Sequence, residues 1–162
     1  MGRAGKRSDP QGPPVEYQPF PRGTVHFIAA VILMAVATGA LLSILMTWLS
    51  HFLGGDIDAS VGAAILVVLI LVLVTATFLL TRGRTGAHRF LLVMNIFYVG
   101  VLAVAAIVGG LASDTSVVAT GIVGTTLAVA ARFFYRSRRY SECIEYFRVI
   151  WTWHRANQHS QQ

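Results

Sequence analysis

The chain has 162 residues, of which 55% are apolar and only 12% are charged, and its formal net charge is +6. Soluble domains carry about 25% charged residues, so this composition excludes a water-soluble globule. The basic excess does not indicate nucleic-acid binding, because the basic residues lie between long apolar stretches and form no folded soluble face. The single cysteine excludes an intramolecular disulfide and any multi-cysteine metal motif.

Residues 1–22 are predicted to form a disordered, Pro-rich, basic leader. All five prolines of the chain fall in this segment, and proline breaks a helix because it lacks the backbone N–H donor. The segment also has too few apolar residues to build a core. Because this leader precedes the first apolar stretch, that stretch is not typical of a secretory signal peptide.

Four stretches without Asp, Glu, Lys or Arg follow, at residues 24–55, 59–81, 90–113 and 115–131. Crossing about 30 Å of hydrocarbon takes about 20 helical residues, so the first three stretches are long enough. The fourth is shorter, but Arg132 can extend toward the headgroups. We therefore predict an all-α integral membrane protein with a transmembrane domain at residues 23–135. This four-helix bundle has spans near 25–50, 60–81, 89–112 and 115–133, with a re-entrant segment as the alternative for the fourth.

The Lys and Arg residues all fall on one side of this topology. The 13 residues lie before the first span, between the second and third, or after the fourth, whereas the other two loops carry Asp56, Asp58 and Asp114. The positive-inside rule then predicts that both termini are cytoplasmic. The preference for Arg over Lys, together with many Ala, Val and Gly residues, favours a GC-rich bacterial source and hence the plasma (inner) membrane.

The interiors of the predicted spans contain no Asp, Glu, Lys or Arg side chain. Proton-coupled transport and intramembrane hydrolysis usually require such residues at depth, so we predict no catalytic residue and no cofactor. Asn95 is the most polar side chain inside a span. An interhelical hydrogen bond is its favoured interpretation, and a contact in a pore is the alternative.

Histidines and aspartates near the span ends are the remaining candidates for ligands. His26 and His88 lie on the same predicted side and could converge on a haem or a metal, and His51 with Asp56 and Asp58 could bind a divalent cation. None of these spacings matches an established ligand motif, so we predict no metal site. The sequence leaves open whether His26 and His88 bind anything.

Small residues recur at intervals of four within the spans, which keeps one helix face low enough for another backbone to approach. Together with Asn95 they define the predicted helix-packing residues: Ala35, Gly39, Ser43, Asn95, Gly109, Thr120, Gly124 and Ala128. Packing within the chain is the favoured interpretation, and oligomerisation is the alternative. The second span instead has only Ile, Leu and Val at residues 65–74, which is typical of a helix that faces lipid or a partner.

Residues 136–162 are predicted to form a cytoplasmic amphipathic helix and tail. From Tyr140 onward, apolar residues recur three and four positions apart, opposite a face of Glu and Arg. Such a helix beside a basic cluster is typical of a segment that lies in the membrane interface, near anionic headgroups, or docks onto a partner. The predicted docking residues are Arg136, Arg138, Arg139, Tyr140, Ile144, Phe147, Ile150 and Trp151.

These features favour a non-catalytic accessory, scaffold or assembly subunit of a larger membrane complex. The expected partners are the lipid bilayer, with its anionic headgroups at the cytoplasmic face, and other membrane subunits or a second copy of the chain. A homo-oligomeric channel or transporter component is the alternative, with a pore lined by Asn95, Thr75, Thr77 or Thr125. A membrane enzyme is the second alternative, in which only the histidines and loop aspartates could supply chemistry.

Overall fold

The computed structural model describes residues 20–54 and 58–159, and within those ranges it contains five α-helices and no strand. The helices are α1 (Thr24–Leu53), α2 (Ala59–Thr81), α3 (Thr85–Leu111), α4 (Thr115–Arg136) and α5 (Arg138–His159). The first four are each long and apolar enough to cross a membrane. The prediction of a multi-pass membrane protein with four helical spans is therefore confirmed. Of the predicted leader only residues 20–22 are described, and residues 160–162 of the predicted tail also lie outside the described ranges.

The fourth helix is longer than the uncharged stretch that predicted it. Its 22 residues run from Thr115 past Arg132 to Arg136 and measure about 33 Å, which is enough to cross the hydrocarbon region. The helix begins after Asp114, whose carboxylate accepts hydrogen bonds from otherwise free backbone N–H groups. A helix of this length favours a complete span over the re-entrant alternative.

The tightly packed part of the bundle consists of α1, α3 and α4, whereas α2 lies at its edge. Glycines of α4 allow the close contacts. A Cβ atom on Gly121 would lie 2.9 Å from the backbone nitrogen of Ala106, and one on Gly124 would lie 2.9 Å from Cβ of Ala40. A larger residue would therefore push α4 away from its neighbours. Most of the bulky α2 side chains between residues 67 and 74 are exposed on the outside of the bundle.

The last helix, α5, folds back across one end of the bundle. Ser137 makes the bend, because its extended backbone (φ −68°, ψ 143°) ends α4 and its Oγ accepts a hydrogen bond from an N–H in the first turn of α5. The α5 backbone then passes over two glycines with positive φ. A Cβ atom on Gly83 would lie 3.1 Å from Cα of Arg148, and one on Gly23 would collide with the carbonyl group of Arg139.

The two ends of the bundle differ in charge, and we name them accordingly. Short connections make consecutive helices antiparallel, so the start of α1, the α2–α3 turn and the end of α4 lie together. This basic end carries Arg22, Arg82, Arg84, Arg89, Arg132 and Arg136, and α5 lies across it. The acidic end carries, among the described residues, Asp58 and Asp114.

Candidate docking site at the basic end

The first half of α5 is buried against the other helices. Tyr140 and Cys143 are both 0% exposed. The Tyr140 ring contacts three helices, with its centroid 6.0 Å from that of Phe27 in α1, 5.7 Å from that of His88 in α3 and 5.3 Å from that of Tyr135 in α4. Aromatic pairs at these distances stabilise a contact beyond the burial of their area. Tyr140 therefore anchors α5 to the bundle.

The predicted docking residues divide into an inner and an outer group. Tyr140 is buried, and the other apolar members are partly buried: Ile144, Phe147, Ile150 and Trp151. The basic members are exposed: Arg136, Arg138 and Arg139. The apolar face of α5 thus lies at least partly against the chain's own helices. Its outward face is polar and carries two exposed ion pairs, Arg138–Glu142 and Arg148–Glu145.

The buried cluster around Tyr140 contains polar atoms without hydrogen-bond partners. Among the described residues, none bonds to the hydroxyl groups of Tyr135 and Tyr140 or to Nδ1 of His88. Burial raises the pKa of the Tyr140 hydroxyl, the neighbouring Tyr135 raises it further, and burial also raises the pKa of the Cys143 thiol. Both groups therefore stay neutral near pH 7, where a buried neutral thiol is a poor nucleophile. These buried side chains pack α5 against the bundle.

A second polar cluster lies in the middle of the spans and joins α1, α3 and α4. Asn95 is fully buried, and its Nδ2 donates to the carbonyl oxygen of Ala128 at 2.8 Å and to Sδ of Met34 at 3.2 Å. The hydroxyl oxygens of Thr38 and Tyr98, both buried, lie 3.2 Å apart. Sequence reasoning missed Thr38 and Tyr98, whose only signal was a hydroxyl group within an uncharged span. These side chains fill the middle of the bundle and connect its helices.

The predicted packing residues other than Asn95 fall on two kinds of surface. Four are buried or half-buried within the bundle: Gly109, Thr120, Gly124 and Ala128. Three are exposed on the outside of α1: Ala35, Gly39 and Ser43. A Cβ atom on Gly39 would meet no atom of another described residue within 4 Å. The α1 row, which continues to the exposed Thr47, is thus a low helix face that the chain's own bundle does not use.

The histidines at the ends of the spans lie beside aromatic rings or in solvent. His26 makes an edge contact with Phe134 at 5.7 Å, and His88 contacts Tyr140. His51 is exposed near the acidic end. Within residues 20–54 and 58–159, no group of three or more His, Cys, Asp or Glu side chains could hold a metal ion. Asp56 lies outside the described residues.

The two described aspartates at the acidic end are helix caps. Oδ1 of Asp58 accepts a hydrogen bond from the N–H of Ser60 at 2.9 Å, and Oδ1 of Asp114 accepts one from the N–H of Val117 at 3.1 Å. These hydrogen bonds lower the pKa of each carboxyl group below its ordinary value. Beside Asp114, a cavity of about 960 Å³ opens between the end of α1 and the α3–α4 turn.

Two outward surfaces of the described residues differ in chemistry. The α1 row consists of small side chains, and the outer face of α5 carries charged side chains beside the exposed arginines of the basic end. No protein-family model, curated protein or solved structure matches this chain.

Proposed function

We propose that this chain is a non-catalytic accessory, scaffold or assembly subunit of a larger membrane complex. The observation that carries the proposal is the outward row of small residues on α1: Ala35, Gly39, Ser43 and Thr47. Such rows are common contact faces between transmembrane helices, because they let two backbones approach closely. In α4 the same spacing is used inside the bundle, whereas the α1 row is exposed among the described residues and can meet a helix of another subunit.

The interior of the bundle supports a structural role. Asn95, Thr38 and Tyr98 are buried and bond within the bundle, so these polar groups hold helices together. Chemistry inside a membrane usually depends on ionisable side chains at depth. The polar outward face of α5 adds a second surface for a partner or for anionic headgroups.

We further propose that both termini are cytoplasmic and that the protein belongs to a bacterial plasma (inner) membrane. The charge asymmetry between the ends supports the orientation, because loops rich in Lys and Arg are retained in the cytoplasm. The preference for Arg over Lys, with many Ala, Val and Gly residues, supports a GC-rich bacterial source. The start of α1 and the whole of α5 lie at the basic end, so one orientation accounts for both.

The test is a matched pair of substitutions at glycines with open surroundings. Gly39→Leu should release the partner subunit during purification in mild detergent while thermal stability is kept, since a Cβ atom there meets nothing within 4 Å. Gly100→Leu on α3, where the surroundings are equally open, should retain the partner. Purification of the wild-type chain as a stable monomer would contradict the proposal.

A homo-oligomeric channel or transporter component is the second candidate, and the same α1 row favours it because two copies could pair through it. Of the threonines considered for a pore, Thr75 is exposed on α2, Thr125 is half-buried, and Thr77 donates to the carbonyl oxygen of Leu73. A pure homo-oligomer that conducts ions in liposomes, and that Gly39→Leu dissociates, would favour this candidate over the accessory subunit.

A further inference from the structure

A groove runs along the outside of the bundle between α2 and the beginning of α3. Its volume is about 540 Å³, and its lining is almost entirely apolar. Val68, Leu71, Thr75 and Leu79 form one wall, and Gly86 and Phe90 contribute to the other. The α2 wall rises about 17 Å from Leu79 to Val68, which matches roughly half of a hydrocarbon core of about 30 Å. The α2 wall therefore has the length of a single lipid leaflet.

Arg82 lies at the basic end of the bundle, three residues beyond the groove residue Leu79. Arg82 is the residue directly after α2, and its spacings of three from Leu79 and seven from Thr75 continue the line of groove residues along the helix. Its guanidinium carbon lies 4.7 Å from the centre of the Phe78 ring and 5.3 Å from that of Trp151 in α5. Ring contacts hold a guanidinium by its face and leave its N–H edge free for an anion.

The positive charge at this end of the groove is not compensated within the described residues. Arg82, Arg84 and Arg89 are exposed, and none of them forms an ion pair there with an Asp or Glu side chain. In contrast, Arg138 and Arg148 of α5 are paired with glutamates. An apolar groove that ends at unpaired arginines is complementary to an amphiphile with an anionic head.

We propose that the groove holds an acyl chain of an anionic phospholipid whose phosphate is bound by Arg82, with Arg84 and Arg89 adding positive charge. A free phosphate would leave the groove empty, and an uncharged partner helix would leave the arginines without a counterion. The site is separate from the α1 row, so it stands independently of the accessory-subunit proposal.

The headgroup is tested by adding equal amounts of phosphatidylglycerol and phosphatidylcholine with identical chains to the delipidated, full-length protein. Native mass spectrometry should show preferential retention of phosphatidylglycerol. Arg82→Gln should lower that preference about fivefold, since one arginine near the headgroups contributes about that factor. Arg22→Gln removes the same charge from an exposed side chain at the start of α1 that does not line the groove, and it should leave the preference unchanged. Equal retention of both lipids by the wild-type chain, or equal effects of the two substitutions, would overturn the proposal.

The acyl chain is tested by filling the groove. Thr75→Trp places a large side chain in the groove from an exposed position, so it should reduce retention of both lipids while the fold persists. Val74→Trp adds the same bulk at an exposed neighbour that does not line the groove, and it should retain lipid like the wild-type chain. Inorganic phosphate should not displace the bound lipid. Displacement by phosphate, or full retention in Thr75→Trp, would show that the groove does not hold the chain.

Discussion

The basic and acidic ends of the bundle are built in different ways. At the acidic end, α2 and α4 are capped by the side chains of Asp58 and Asp114. At the basic end, α1 and α3 begin after Gly23 and Arg84 without a side-chain cap. The closing element there is α5, whose backbone passes over Gly23 and Gly83.

This difference shows that the acidic end is stabilised by local hydrogen bonds, whereas the basic end is stabilised by tertiary contacts with α5. An aspartate cap needs only the residues that follow it, so the acidic end can leave a cavity of about 960 Å³ open. The docking of α5 needs glycine at two turns, because any side chain would meet its backbone. Gly23 and Gly54 differ in the same way: both have positive φ, 100° and 66°, but among the described residues a neighbouring helix covers Gly23 and none covers Gly54.

Gly23→Ala should have the largest effect on stability, because it disrupts the docking of α5 at the basic end. Its new Cβ atom would collide with the carbonyl group of Arg139, so α5 must shift or lift off. Gly54→Ala is the control: its φ of 66° lies in the left-handed region, where a side chain costs about 1–2 kcal/mol, and its new Cβ atom would meet no described atom within 4 Å. Thermal unfolding in detergent should show that Gly23→Ala loses about 1–3 kcal/mol more than the control. Equal losses would mean that α5 does not rest on Gly23.

Removing tyrosine hydroxyl groups should have an intermediate effect on the free energy of unfolding, and this effect should differ between the basic end and the middle of the spans. Tyr140→Phe should leave the free energy of unfolding unchanged or raise it, because the lost hydroxyl is buried without a partner among the described residues. Tyr98→Phe, in the middle of the spans, should lose about 1 kcal/mol, since its hydroxyl oxygen lies 3.2 Å from that of Thr38. A larger loss in Tyr140→Phe than in Tyr98→Phe would contradict this assignment.

The smallest effect is expected at the acidic end and depends on pH. The folded pKa of Asp114 lies below the ordinary value of 3.8, so its cap stabilises α4 fully above that value and is lost as pH falls through the folded pKa. Thermal stability should therefore decline below about pH 4. In Asp114→Asn this part of the decline should be missing, because an amide does not titrate there. If Asp114→Asn showed the same decline of thermal stability at acidic pH as the wild-type chain, the Asp114 cap would not be its cause.

The four spans could be predicted because length and lack of charge are properties of a continuous stretch of sequence. The apolar positions of α5 were also visible, since their spacing identifies one helix face. That spacing does not reveal what the face contacts, and Tyr140 meets the chain's own helices. The contacts of Gly23 and Gly83 with α5 could not be predicted, because the helix that covers these glycines is far away in sequence.

The small-residue rows show the same limit more sharply. Gly39 and Gly124 belong to rows with the same spacing of four, yet Gly39 faces outward and Gly124 lies against Ala40. Spacing identifies a low helix face, but the rotation of each helix in the bundle decides where that face points. That rotation follows from the packing of all the helices together, which no single stretch of sequence contains.

The reactivity of Cys143, the single cysteine of the chain, tests most directly whether α5 is docked on the bundle. The docking of α5 buries this thiol completely, so a maleimide should label it only when α5 lifts off. A cysteine placed at the exposed Ser141 in a Cys143→Ser background is the reference for an accessible thiol on the same helix. We predict that Cys143 reacts about 100-fold more slowly than this reference, a ratio that corresponds to about 2.8 kcal/mol, and that Gly23→Ala removes most of the difference. Equal labelling rates in the wild-type chain would show that α5 is not docked on the bundle.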